Sequence, residues 1–177
     1  MKWKTLGSKT LFKHPRLTVM EDDVELPNGH RTKYIHFGAT QDAAMIIATD
    51  KNGKFLIQKE YSYPPDEVLY QLPGGAVEDD EETVVGAARE LAEEAGLAGD
   101  LDLIGWFYIN NRRSNQKMFV YHATNLCAVT ATKDPEEEFE DFWFEADEID
   151  NLIRTNEIKN YTLLAGWALY RATHPQL

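Results

Sequence analysis

Residues 73–97 leave the chain few options. Pro73-Gly74-Gly75 closes one extended run in a tight turn, Gly96 suits the left-handed position that stops a helix, and residues 82–95 read as the helix between them. At about 100° per residue, Glu93 lies about 60° to one side of Glu90 and Glu94 about 40° to the other, so three carboxylates share one narrow face. Val84, Ala88, Leu91 and Ala95 fall on the opposite side and form the stripe expected to pack into a core. Arg89 sits one turn before Glu93 and can pair with it or orient its neighbours. Three like charges on one face repel unless a cation neutralises them, and hard divalent cations with oxygen ligands, Mg²⁺ above all, do this. A solvated acidic face is the usual explanation for a Glu-rich run. The strand end and turn placed directly before this helix favour a built site instead.

The rest of the chain supplies a setting for that helix. Alternating patterns predict strands over residues 9–12, 17–26 and 31–37, with Asn28-Gly29 turning the last two. Further strands are predicted over 44–49 and 55–60, joined at Asn52-Gly53, and over 69–72 after a loop containing Pro64-Pro65. Strands over 101–109, 117–126 and 139–144 follow, and helices over 147–154 and 161–171 close the chain. The pattern is mixed α/β with an N-terminal antiparallel β-meander. Residues 1–40 form the meander and 41–177 the larger domain.

Gly75, Glu81 and the run Arg89-Glu90-Leu91-Ala92-Glu93-Glu94-Ala95-Gly96-Leu97 stand at fixed offsets that resemble the Nudix box residue for residue. At average residue usage a chance match in a chain this long is on the order of 10⁻⁷. The resemblance implies a Nudix α/β/α sandwich with a mixed sheet. It also implies that the Gly74 carbonyl joins Glu90 and Glu94 as a metal ligand, with Glu93 as a further ligand, and that Gly75 lets the backbone approach the ion. Such a site hydrolyses phosphoanhydrides, with Mg²⁺ or Mn²⁺ stabilising charge and activating water. Glu81 acts from the loop or through water, because a helix reaching back to it would point it away from Glu90. In the ADP-ribose pyrophosphatase branch a glutamate from the loop before the last strand serves as general base. Here that loop is Asp134-Pro135-Glu136-Glu137-Glu138, in which Glu137 and Glu138 are the candidates.

The meander, the segment Gln58-Lys59-Glu60-Tyr61-Ser62-Tyr63-Pro64 and the C-terminal layout all look like that branch and its nucleotide-sugar hydrolases, which are dimeric. Two positions depart from it. An arginine that contacts phosphate in those enzymes is replaced here by Ser62, and a proline beyond the box is replaced by Arg113. Arg112 or Arg113 can supply the phosphate contact from another side, since guanidinium suits bidentate binding. Tyr61 is a candidate to stack a base. The implied activity is hydrolysis of ADP-ribose or a nucleotide sugar to a nucleoside monophosphate and a sugar phosphate, in a homodimer. A triphosphate hydrolase and a catalytically silent nucleotide sensor are the alternatives.

Composition narrows the setting. A formal net charge of −12 over 177 residues argues against a partner that is nucleic acid, which needs a basic face. The longest apolar stretch, residues 43–48, is far too short to span a membrane. One cysteine, Cys127, permits no internal disulfide and suggests a reducing cytoplasm, with a buried structural thiol as the expectation for Cys127 itself.

Overall fold

Asn-Gly turns and alternating strands dominate the first third of the chain, and Gly29 and Gly53 take φ values of 81° and 83° as those turns require. The structure is a computed structural model and describes residues 2–38, 40–132 and 138–175. It comprises two compact units, residues 1–41 with 108–117, and residues 42–107 with 118–177.

In the first unit, β1 (Lys4–His14), β2 (Leu17–Glu25) and β3 (Arg31–Phe37) pair antiparallel in that order. Lys33 bonds Glu21 across β2 and β3 at 2.6 Å, and Lys9 approaches the same carboxylate at 3.0 Å from β1. Val24 is buried, whereas Leu11, Phe12, Leu17 and Ile35 are each more than two-fifths exposed. The arm of residues 108–117 is tied to β3, where the Phe37 N–H donates to the Arg113 carbonyl at 2.6 Å.

The second unit is built from two sheets and three helices. One sheet orders β7 (Gly74–Ala76), β4 (Ala43–Ala48), β9 (Lys117–Ala128) and β8 (Leu97–Tyr108), with β4 parallel to β9 and antiparallel to β7. The other orders β10 (Glu140–Phe144), β5 (Phe55–Ser62) and β6 (Glu67–Gln71), all antiparallel. The helices are α1 (Thr83–Ala95), α2 (Ala146–Arg154) and α3 (Tyr161–Thr173). Every residue of β4 is buried because it is covered on both faces. Ala44, Ile46 and Ala48 join Leu56, Ala87 and Leu91 in one core, while on the other side a Cβ at Gly166 of α3 would lie 2.5 Å from Met45 Sδ. Phe55 packs edge-on against Trp167 and Tyr170 of α3. Asp150 of α2 accepts from Trp167 Nε1 at 2.7 Å and from Arg171 at 3.1 Å, which locks the two C-terminal helices together.

Three expectations change. Residues 74–76 form a short strand on β4 where the sequence suggested only a turn. Cys127 is exposed near the end of β9, not buried. The largest change concerns α1, whose buried residues are Gly86, Ala87, Leu91 and Glu94. Val84 is 41% exposed and Ala88 is exposed as well. Leu91 and Ala95 pack into the core as expected, but the buried face is rotated toward Glu94, which leaves Val84 and Ala88 outside it. Small side chains at Gly86 and Ala87 let this side of the helix approach the sheet closely, and closeness outweighs side-chain hydrophobicity here.

Candidate active site

Two glycines bring the strand backbone against the acidic helix. Gly74 takes φ 148°, and a Cβ there would collide with the Ala44 carbonyl across the β4–β7 pair. At Gly75 a Cβ would lie 2.5 Å from Glu90 Oε1, so the missing side chain is what lets the carboxylate rest on the backbone. Gly96 caps α1 in the left-handed conformation at φ 65°, its N–H donating to the Ala92 carbonyl at 3.0 Å.

Arg89 gathers the acidic side chains around it. Its Nη1 donates to Glu90 Oε1 at 2.9 Å and to Glu93 Oε2 at 3.0 Å. Nη2 donates to the Ala76 carbonyl at 2.8 Å, and Nε and Nη2 both reach Glu81 at 3.3 Å. All five guanidinium donors are thus engaged. Glu81, foremost among these partners, raises the Arg89 pKa further above its already high value. In return, Arg89 and the Glu78 N–H hold the Glu81 carboxyl below the ordinary range. Glu90 shifts the other way, because loss of water raises its pKa more than Arg89 lowers it. Glu94 is 4% exposed and accepts the Gly74 N–H at 2.9 Å.

Three carboxylates therefore surround one guanidinium, with Glu94 held separately on the Gly74 N–H, and the donors are all hard oxygens. Among the described residues no three His, Cys, Asp or Glu side chains converge into a complete metal cage. An ion here would need further oxygens from water or a phosphate, which is the usual habit of Mg²⁺.

The other candidates lie elsewhere. Tyr61, at the end of β5, is 52% exposed, and its hydroxyl donates to Asp66 Oδ1 at 2.9 Å. Arg112 and Arg113 belong to the first unit, whereas Glu90, Glu93 and Glu94 belong to the second. Glu138 is exposed just before β10, and Glu137 lies outside the described residues. Sequence reasoning understated Glu81, whose place as an Arg89 partner depends on the turn before α1. The available signal was Asp79-Asp80, where Asp80 at φ 66° turns the chain back toward the helix.

Residues 39–165 match the NUDIX domain, and residues 3–34 match the nucleoside diphosphate sugar hydrolase N-terminal domain. An ADP-ribose pyrophosphatase of Bacillus subtilis is 30% identical over 139 residues, covering 76% of this chain and 73% of that protein. A CMP-5'-(N-acetyl-N-hydroxy-3-aminopropyl)phosphonate hydrolase of Streptomyces rubellomurinus is 36% identical over 96 residues. That match covers 54% of this chain, which spans less than half of the Streptomyces protein, 46%. A crystal structure of an ADP compounds hydrolase superposes with a TM-score of 0.89 at 21% identity, covering 97% of this chain and 94% of that one. This likeness bears on the fold and agrees with the mixed α/β architecture expected from the sequence. Because the NUDIX match takes in most of the chain, including α1 and the strand before it, the chain belongs to the Nudix family.

Proposed function

We propose that the chain is a metal-dependent hydrolase that cuts the pyrophosphate of a nucleoside diphosphate linked to another group, with ADP-ribose or a nucleotide sugar as the favoured substrates. The products are a nucleoside monophosphate and a sugar phosphate. The observation that carries this is the α1 carboxylate cluster held against Gly74-Gly75, a concentration of hard oxygen donors that Arg89 alone does not neutralise. The names of the Bacillus and Streptomyces relatives support a nucleotide-derived substrate.

Glu90, Glu93, Glu94 and the Gly74 carbonyl would hold Mg²⁺, with Mn²⁺ as the alternative. The partly desolvated Glu90 carboxyl fits such an ion, because a nearby divalent charge offsets the cost of its lost water. When bound, the metal supplies charge neutralisation for the phosphates and a lowered pKa for the attacking water. Arg89 keeps Glu90 and Glu93 in register for the ion, and Glu137 or Glu138 takes the proton from water, with Glu93 also placed for a catalytic role. Arg112, Arg113 and Tyr61 are the candidate substrate contacts. Residues 1–40 join two copies into a homodimer, residues 41–177 carry the hydrolytic site, and the protein works in the cytoplasm.

The test is hydrolysis of ADP-ribose and nucleotide sugars. Activity should vanish with a chelator and return with Mg²⁺ or Mn²⁺, and full turnover by thoroughly demetallated protein would overturn the mechanism. Glu137→Gln or Glu138→Gln, whichever removes the base, should lower kcat by roughly 10²–10⁴ with substrate binding largely kept. Near-normal turnover in both variants would place the base elsewhere.

A further inference from the structure

Four rings enclose Tyr170 near the end of α3, and two of them are histidines. Tyr170 is 1% exposed, with Phe55 and Trp167 as its aromatic neighbours. The ring of His174, the C-cap of α3, stacks on Tyr170 at 4.3 Å between centroids, with 17° between the planes. His122 of β9 meets Tyr170 at 5.0 Å and His174 at 5.3 Å, edge-on to both. Its Nε2 lies 2.9 Å from the hydroxyl of Thr49, the residue after β4, and Tyr170 is hydrogen-bonded to the same hydroxyl. The Thr49 N–H in turn donates to the Ala123 carbonyl of β9 at 2.9 Å. The cluster therefore fastens the last turn of α3 to β9 and to the end of β4, all within the second unit.

Both imidazoles can take a proton in mildly acid solution. The second proton would set two cations about a ring's width apart, where burial weakens screening by water. Among the described residues, the charged or titratable groups acting on His122 and Tyr170 are Asp102 of β8, His174 and Arg171. Asp102 is exposed, and Arg171 is paired with Asp150. Tyr170 supplies no anion, because burial raises its pKa above the ordinary phenol value. Burial is the foremost cause that lowers the pKa of His122, the charge of His174 is the second, and the opposing pull of Asp102 is smaller. His122 thus binds a proton more readily once it is released to water. Its contribution to the packed state is complete above pH 6.5, the ordinary histidine value, and is lost as pH falls toward the depressed one.

We propose that His122, Tyr170 and His174 form an acid-sensitive latch, which holds the last turn of α3 on β9 while at most one imidazole is protonated and releases that turn when both are. The latch lies in residues that the proposed hydrolysis does not use, so it stands whether or not that reading holds.

The His174 N–H, which donates to the Tyr170 carbonyl at 2.9 Å, reports directly on the closed turn. Its hydrogen exchange in the whole protein, corrected for the intrinsic effect of pH on exchange, gives the fraction open. Between about pH 7.5 and about pH 5 that fraction should rise roughly tenfold or more in the parent. His122→Gln and His174→Gln each leave one imidazole, so in either variant the rise should shrink to less than about twofold. The two are independent tests, and His174→Gln, at a half-buried helix end, serves if His122→Gln does not fold. Nuclear magnetic resonance titration of the His122 ring supplies a reading that a purely structural role would not move. Its midpoint should lie below the ordinary histidine value in the parent and move upward in His174→Gln. An opening that ignores pH in the parent, a variant that keeps the parent's rise, or a His122 midpoint indifferent to His174 would each overturn the latch.

Discussion

Glu94 joins fold and chemistry in a single side chain. Counting angles around α1 puts it among the carboxylates, which suggests a side chain that contributes only charge. The structure buries it and gives it the Gly74 N–H as a donor at 2.9 Å. Two substitutions should therefore part company. Glu94→Gln keeps an acceptor for that N–H and removes a negative charge from a crowded cluster, so the metal-free protein should unfold near the parent temperature while hydrolysis is nearly lost. Glu94→Ala leaves a buried N–H without a partner and should cost ~1–3 kcal/mol of stability as well as activity. Thermal and urea unfolding in EDTA, beside an activity assay, measure both. Equal stability in the two variants would mean that the Gly74 hydrogen bond contributes nothing. The pairing was not legible in the sequence because twenty positions separate the two residues, and a helical wheel carries no information about the strand lying across it.

At the scale of the element, α1 shows how far sequence pattern reaches. Its limits follow from local chemistry: Gly96 ends it, Gly74 and Gly75 open the approach to it, and the turn at Asp80 returns Glu81 beneath Arg89. These features are visible in residue type and spacing. Which side packs is not, because helical periodicity marked Val84 and Ala88 for the core while the sheet buries Gly86, Ala87, Leu91 and Glu94. Leu91 belongs to both accounts, being fully buried against Ala44, Ile46 and Leu56. Leu91→Ala should accordingly cost ~2–5 kcal/mol. Val84→Ser, at a position 41% exposed, should change stability by no more than ~0.5 kcal/mol. Denaturant midpoints at matched m-values decide the matter, and a Val84→Ser penalty approaching that of Leu91→Ala would restore the original stripe. The strands were read well where turns are chemically marked, as at Asn28-Gly29 and Asn52-Gly53. β7 was missed because a strand of three residues has no periodicity to detect, and Gly74 and Gly75 resemble a turn.

At the scale of the whole molecule, the meander presents a problem that a second copy would solve. A three-stranded antiparallel sheet gains little stability from its own pairing. Trp3, Leu6, Leu11, Phe12, Leu17 and Ile35 are all more than two-fifths exposed, so the first unit displays an unusual share of large apolar side chains. Val24 does not contribute to that surface, as it is only 5% exposed. Strand hydrogen bonds and the Glu21 ion pairs with Lys9 and Lys33 hold the sheet's shape without covering these residues. Burial in an interface would remove them from water, at roughly 25 cal/mol for each Å² of apolar surface. Sedimentation at micromolar concentration should therefore give the mass of two chains, well above the 20.2 kDa of one. Replacing Leu11 and Phe12 together by Glu should shift that equilibrium toward the single chain, because dimerisation would then have to desolvate two charges on each copy. The same variant should keep its far-ultraviolet spectrum, since both positions are exposed and neither supports the core of the second unit. A parent that sediments as one chain, or a double variant that dimerises as tightly as the parent, would show that this surface is not the interface.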